Sequence, residues 1–369
     1  MLNFARTFII FCLVCNPILA AKIETFYGVV DVEEPVLLDL IESSAFQRLK
    51  HIHQYGVAYY TTHREEFTRY DHSLGVFFLL RLNSRSLEEQ IAGLLHDVSH
   101  TVFSHVGDWV FNQHNEEMDY QTLTHADYLE RSGLSDILCK HGYTVEKILP
   151  KQELFPALEQ PLPALCADRL DYNLQGAFYQ GFMTHEETIR LFHEIKFIDG
   201  KWMSKDLELL KKLVRFSIFM SQNCWGSPTE SVLSIWLADA MMRGVSIGII
   251  SMEDIRFGID QEIWERLMTS YDPLIQKNMH MILHSSAYHS LVSKEEANLF
   301  VVNKFRGIDP LIEIDGEQVR LTQTDPVLAE EFQKAKERMS RGWPVKVSTS
   351  LTATLHFQCT LFDSKLSIL

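Results

Sequence analysis

The chain has 369 residues, 46% hydrophobic and 22% charged, which is long enough and apolar enough to bury a sizeable core and excludes a disordered chain. Its formal net charge of −15 argues against a nucleic-acid partner, which would need a basic face to displace phosphate counterions. A small phosphorylated substrate stays compatible, because a few cations at one site suffice.

The first 21 residues, MLNFARTFIIFCLVCNPILAA, combine Arg6, an apolar run over 8–14, Pro17 and small residues at Ala20 and Ala21. That is the pattern of a secretory leader, so the chain is expected to be exported (periplasmic or secreted), or cytoplasmic if the leader does not act. The apolar run is too short to span a bilayer, and no transmembrane segment is expected elsewhere. Beyond the leader, Cys139, Cys166, Cys224 and Cys359 stand alone, with no CxxC pair to mark a zinc finger.

Residues 22–32 alternate around Gly28 and predict a hairpin. From Pro35 the apolar spacing becomes helical through Leu49, with a break at Ser43 and Ser44. A loop over 61–66 leads to a helix through 74–80, then one over 87–96 with Glu88 and Glu89 in its first turn. Further helices are predicted over 125–132, 162–178, 186–194, 207–220 and 230–242. Between them IKFIDGKWM reads as a hairpin, with Asp199 and Gly200 suited to a type I′ turn. Past residue 290, strands are predicted over 299–305, 319–322 and 343–347, with a turn at Asp315–Gly316 and a helix from Pro326 to Met339. The last stretch, 348–369, reads as a strand pair or a tail. The expected fold is all-α with small β-hairpins and a C-terminal α+β appendage. Its divisions are a leader over 1–21, a helical domain over 22–290 and the appendage over 291–369.

Ten of the 16 histidines fall between His51 and His141, which points to metal or proton chemistry in that stretch. Three strings carry it: TRYDHSLGV (68–76), IAGLLHDVSHTVFSHVGD (91–108) and LCADRLDYNLQ (165–175). Imidazole nitrogens and carboxylate oxygens hold first-row divalent cations while leaving positions open for water. A single His72, the doublet His96–Asp97 and the distant Asp168 lie on separate helical segments. Neighbours on a helix point about 100° apart, so the doublet can straddle one cation between packed helices. His100 shares the helix face of His96, and Arg69 that of His72. His51, His53, His63 and His114 read as structural.

Together with FQRLKHIHQYG (46–56), these strings resemble the HD-domain superfamily of metal-dependent phosphohydrolases, most closely the deoxynucleotide triphosphohydrolase branch. The resemblance runs over 22–173 and more weakly to about 240. It implies a helical HD core and one divalent cation (Mn, Fe, Mg or Zn) on His72, His96, Asp97 and Asp168. It also implies catalytic roles for His100, His105 and His125, with Asp108 orienting His105. Substrate contacts fall on Arg69, Arg169, Tyr172 and Gln54, and the family's habit points to a homo-oligomer. The activity implied is hydrolysis of a phosphate ester, with nucleotides among the candidates. Asp171 is expected to steady a ligand rather than to bind metal.

The chain departs from that branch in three places. Gly176 stands where the branch offers an acid to the sugar, NCWGSPTES (223–231) has no Lys or Arg for a triphosphate, and the bulky Tyr55 follows Gln54. Desolvating a triphosphate without paired cations is costly. A nucleoside triphosphate triphosphohydrolase is therefore the alternative, and a non-catalytic, metal-containing sensor of a phosphorylated ligand is the third reading. No G-x-S-x-G elbow, P-loop or dinucleotide fingerprint is present.

Overall fold

The computed structural model describes residues 20–62, 67–112 and 118–348. The leader through residue 19, most of the 61–66 loop, and the stretch from 349 onward lie outside the described residues.

The opening hairpin pairs Ala21–Thr25 with Gly28–Val32, and Gly28 takes a φ of 118° that a side chain would resist. Helix Pro35–Glu42 ends at Ser43, whose hydroxyl accepts from the Phe46 amide and starts Ser44–Gln47. The break therefore falls where the paired serines predict it.

Three helices frame the later chemistry. Arg69–Leu82 opens on a capping box made by Thr68 and Asp71 and is buried along most of its length. It packs against Leu87–Leu95 and Ala167–Tyr179. Gly75 makes the second contact possible, since a Cβ there would collide with the Asp171 carboxylate. The third helix begins at Ala167, not at 162. Pro161 and Pro163 remove amide donors and push their preceding residues out of the helical region, so the apolar run before Ala167 stays irregular. Helix Tyr120–Arg131 starts earlier than its apolar pattern, because the Asp119 side chain accepts from the Thr122 amide.

The predicted hairpin forms as Lys196–Ile198 and Lys201–Met203, with φ of 48° at Asp199 and 78° at Gly200. Its second strand also pairs in parallel with Leu311–Ile314, which turns through Asp315–Gly316 into Glu317–Arg320. A third sheet joins His289–Leu291, Trp343–Val347 and Leu299–Val301.

The strand expected over 299–305 stops at Val301. Beyond it the backbone serves a different partner. The amides of Arg306 and Ile308 donate to the hydroxyls of Ser221 and Ser217 at 3.2 and 3.1 Å, on helix Leu207–Asn223. Helix Pro326–Ser340 packs on the same helix. Ile308, Ile312, Leu321, Leu328 and Val345 are buried in one continuous core with the helical body. Among the described residues the fold is mainly helical with three small sheets, and the C-terminal α+β segment is packed into the body rather than hung from it.

Two buried side chains pin the segment after residue 97. Arg48 donates to the carbonyls of Val98, His100, Arg256 and Gly258. Asp260 accepts from the amides of His53 and Phe103 at 2.9 and 2.6 Å. No helix among the described residues is long and apolar enough to cross a membrane.

Candidate functional site

His72 lies in the first turn of its helix, and His96–Asp97 follow directly on the end of Leu87–Leu95. The Nδ1 of His96 is 2.7 Å from the Gly93 carbonyl, which only accepts, so that nitrogen carries the proton. The Nδ1 of His72 is 2.6 Å from Asp171 Oδ2 and donates to it. As neutral imidazoles, both rings turn Nε2 lone pairs toward each other, 3.1 Å apart. Asp168 Oδ1 lies 3.1 Å from one Nε2 and 3.6 Å from the other. Asp97 stands at 3.6 Å from His72 and 3.5 Å from His96.

Lone pairs and carboxylate oxygens gathered this closely repel one another, and a cation among them reverses the sign of the interaction. The ligand atoms of His72, His96 and Asp168 all fall within 4.8 Å of one another, a spacing that could hold a metal ion. Two imidazoles and carboxylates suit manganese, iron or zinc, with magnesium the poorest match. Burial opposes a charge on His72, yet hydrogen bonds to Asp168 and Asp171 raise it to about 10, so the pocket favours positive charge at that point. Burial would likewise raise Asp97, but the neighbouring Arg69 guanidinium holds it well below the usual carboxylate range.

Asp171 is buried, reaches His72 across the gap left by Gly75, and also accepts from Gln175. It sets which nitrogen of His72 faces the cluster, as its place on the helix predicts. Asp171→Asn keeps an acceptor but loses the charge, and is expected to weaken metal affinity by roughly 10- to 100-fold. Competition against a chelator checks this, and wild-type affinity in the variant would remove Asp171 from the assembly.

The proton-bearing groups stand beside the cluster. His100 Nε2 is 3.3 Å from Asp97 Oδ1, and burial with the Arg69 charge pushes its ring down to about 4. The His105 ring meets it edge-on at 5.1 Å and holds its Nδ1 3.0 Å from Asp108 Oδ2. The other oxygen of Asp108 accepts from the Tyr120 amide, tying His105 to the helix that carries His125. His125 Nδ1 is 2.7 Å from the Ser99 hydroxyl. Its Nε2 is buried without a hydrogen-bond partner among the described residues, and burial pushes the ring down to about 3. Just before His105, Phe103 and Ser104 take left-handed φ of 56° and 55°. Asp260 on the Phe103 amide, and Ser104 Oγ donating to the His53 carbonyl at 2.7 Å, hold that strained turn.

The four expected substrate contacts fare differently. Arg69 is buried, paired with Asp97 and donating Nε to Ser104 Oγ at 2.8 Å, so it holds a candidate ligand in place. Arg169 donates to the carbonyls of Ala164 and Gln160, so the donors it uses there face protein rather than substrate. Tyr172 lies 6.3 Å from the His72 ring and meets Trp225 edge-on at 5.5 Å. Gln54 lines the same cleft, its side-chain oxygen buried without a partner among the described residues. Apart from His72, which sits behind, all the predicted site residues border one cleft of about 2710 Å³. That exceeds the roughly 300–1,000 Å³ of a small-ligand pocket. At Gly176, the Tyr55 hydroxyl and the Phe216 ring fill the space that a side chain would need.

Sequence reasoning missed Glu159, Asp119 and Ser99. Burial, aided by the Asp168 charge, pushes the Glu159 carboxyl up to about 8. Asp119 caps a helix, and against the effect of burial its neighbour His105 and its bond to Thr122 hold the carboxyl below the usual carboxylate range. Ser99, three residues past His96, offered a faint signal; Glu159, in an irregular segment, offered none.

Residues 69–173 match the HD domain family. The chain is 31% identical over 318 residues to the uncharacterized protein YdhJ of Bacillus subtilis, covering 85% of this chain and 94% of that one. It is 33% identical over 258 residues to the metal-dependent phosphohydrolase cns2 of Cordyceps militaris, covering 68% of this chain and 73% of the relative. A crystal structure of a phosphohydrolase from Bacteroides thetaiotaomicron shares the fold with a TM-score of 0.63 at 16% identity, over 88% of this chain and 98% of that one.

Proposed function

The chain belongs to the HD-domain metal-dependent phosphohydrolases, and from that premise we propose that it hydrolyses a phosphate ester at the floor of the cleft, with His72, His96, Asp97 and Asp168 holding one divalent cation. The observation that carries this reading is the pair of Nε2 atoms facing each other at 3.1 Å with Asp168 beside them, next to the His105–Asp108 pair. A divalent cation bound there supplies Lewis acidity toward phosphoryl oxygens and water.

The chain's own groups do the rest. Asp108 keeps the proton on His105 Nδ1, which leaves Nε2 to exchange a proton at the ester oxygen. His100 and His125 stay neutral near pH 7 and offer hydrogen bonds without adding charge. Arg69 keeps Asp97 ionised and oriented. The edge-on pair Tyr172 and Trp225 forms an aromatic wall beside His72, which suits a nucleotide base or another flat group.

The test is metal content and product analysis on the full chain with mono-, di- and triphosphate esters. About one equivalent of metal and release of orthophosphate are expected. Release of tripolyphosphate from nucleoside triphosphates would establish a triphosphohydrolase instead. Bound metal with no turnover across the panel would favour the sensor.

A further inference from the structure

The stretch 223–231 borders the cleft and contributes no cation of its own. The structure lays another segment directly on it. Asn303 donates its amide to the Gly226 carbonyl at 3.0 Å and to Ser231 Oγ at 2.9 Å, and the Ser231 hydroxyl answers to Asn303 Oδ1 at 3.2 Å. Three residues on, the Arg306 amide is held by Ser221 Oγ. Between and at these anchors, Lys304 and Arg306 line the cleft.

Most other cations of the cleft are spent on the protein. Lys212 pairs with Glu187, Arg215 with Glu331 and Lys334 with Glu330, while Arg338 lies over the Trp343 ring. Among the described residues neither Lys304 nor Arg306 makes an ion pair, although the chain has 49 acidic residues against 34 Lys and Arg. Arg306 is close enough to Tyr172 for its charge to oppose the effect of burial on that phenol. Tyr172 in turn stands against His72. Arg306 thus lies near the aromatic wall beside the His/Asp cluster, and Lys304 lines the same cleft, which is too large for one phosphoryl group.

We propose that Lys304 and Arg306 form a second anion subsite, which takes a phosphoryl group of the substrate other than the one cleaved. This rests on the phosphohydrolase reading for which end of the substrate reacts, and not for the subsite itself. The substrate class is then a phosphate ester with at least two phosphoryl groups. The cations that 223–231 lacks are supplied by a segment some 75 residues downstream, placed there by Asn303.

The test is calorimetric titration of the metal-loaded full chain with orthophosphate and with tripolyphosphate, for wild type and for Lys304→Gln combined with Arg306→Gln. Two lost charge-assisted contacts predict tripolyphosphate binding weakened by about 100-fold, with orthophosphate affinity and metal content changed less than about threefold. Arg306→Lys on the wild-type background should keep most of the tripolyphosphate affinity. Because Lys304 is exposed and the anchoring Asn303 is untouched, the double variant should melt like wild type. Equal tripolyphosphate affinity in wild type and double variant overturns the subsite, whatever the enzyme hydrolyses. Tripolyphosphate binding that depends on the two cations, in a protein that turns over no phosphate ester, upholds the subsite and overturns the hydrolysis reading.

Discussion

Asp168→Ala is expected to strip the protein of its metal and to lower phosphohydrolase turnover by at least about 1,000-fold, because a bound cation contributes several kcal/mol to the transition state. Asp168 is the cleaner ligand to remove. Its side chain is 26% exposed, so losing it opens no sealed hole, and alanine suits the first turn of the helix it sits on. Asp97→Ala would confuse the result, since it leaves the buried Arg69 guanidinium without its carboxylate, a loss of about 3–5 kcal/mol in stability. In the Asp168 variant the two Nε2 atoms still face each other but lack the oxygen that lies 3.1 and 3.6 Å from them. Elemental analysis after dialysis, beside an unchanged circular dichroism melt, reads the outcome. A variant that keeps wild-type metal stoichiometry would show that the cation is held elsewhere and would sink the assignment of this cluster.

What could be read from the sequence was the part carried by local signals. Asp199–Gly200 announces its hairpin because two left-handed positions in succession leave few residue choices. The Ser43 break, and the start of Pro326–Ser340 at Asp325, are capping signals complete within four residues. His72, His96, Asp97 and Asp168 stood out through the strings that resemble the HD superfamily, and the fold brings ligand atoms of His72, His96 and Asp168 within 4.8 Å of one another; Asp171 drew notice because it follows Asp168 on the same helix. One failure was local and the rest are of long range. The run before Ala167 looked helical by composition, although its prolines already forbade it. The pairing of Met203 with Leu311 has no local cue, and it folds the expected appendage into the body. Arg169 borders the cleft as expected, and two of its donors also go to carbonyls that only tertiary packing brings near. The same blindness made 223–231 look like a site without cations, when Lys304 and Arg306 arrive from a distant segment. Charge supplied across the fold leaves no trace at the position it serves.

His105→Ala is expected to lower kcat by about 100- to 10,000-fold while leaving metal content and substrate affinity near wild type. The geometry separates this loss from a general collapse. The His105 side chain is 49% exposed at the cleft, so its removal leaves no core cavity, and the Asp108 oxygen it frees borders the cleft. The strained turn before it is held by Asp260 and Ser104, not by the ring. Asp108→Asn supplies the second half of the argument. Its remaining carbonyl oxygen can serve either the Tyr120 amide or His105 Nδ1, but not both as the carboxylate does at 2.8 and 3.0 Å. The asparagine variant should therefore fall between wild type and His105→Ala in kcat. In the absence of His105 the Asp108 change should have little further effect, because a group that only orients the ring has nothing left to orient. Additive losses in the double variant would give Asp108 a role of its own. A His105→Ala enzyme within about threefold of wild-type kcat would move the proton transfer away from His105, and Glu159, the cleft carboxyl near Asp168 that burial raises to about 8, would be the group to replace next.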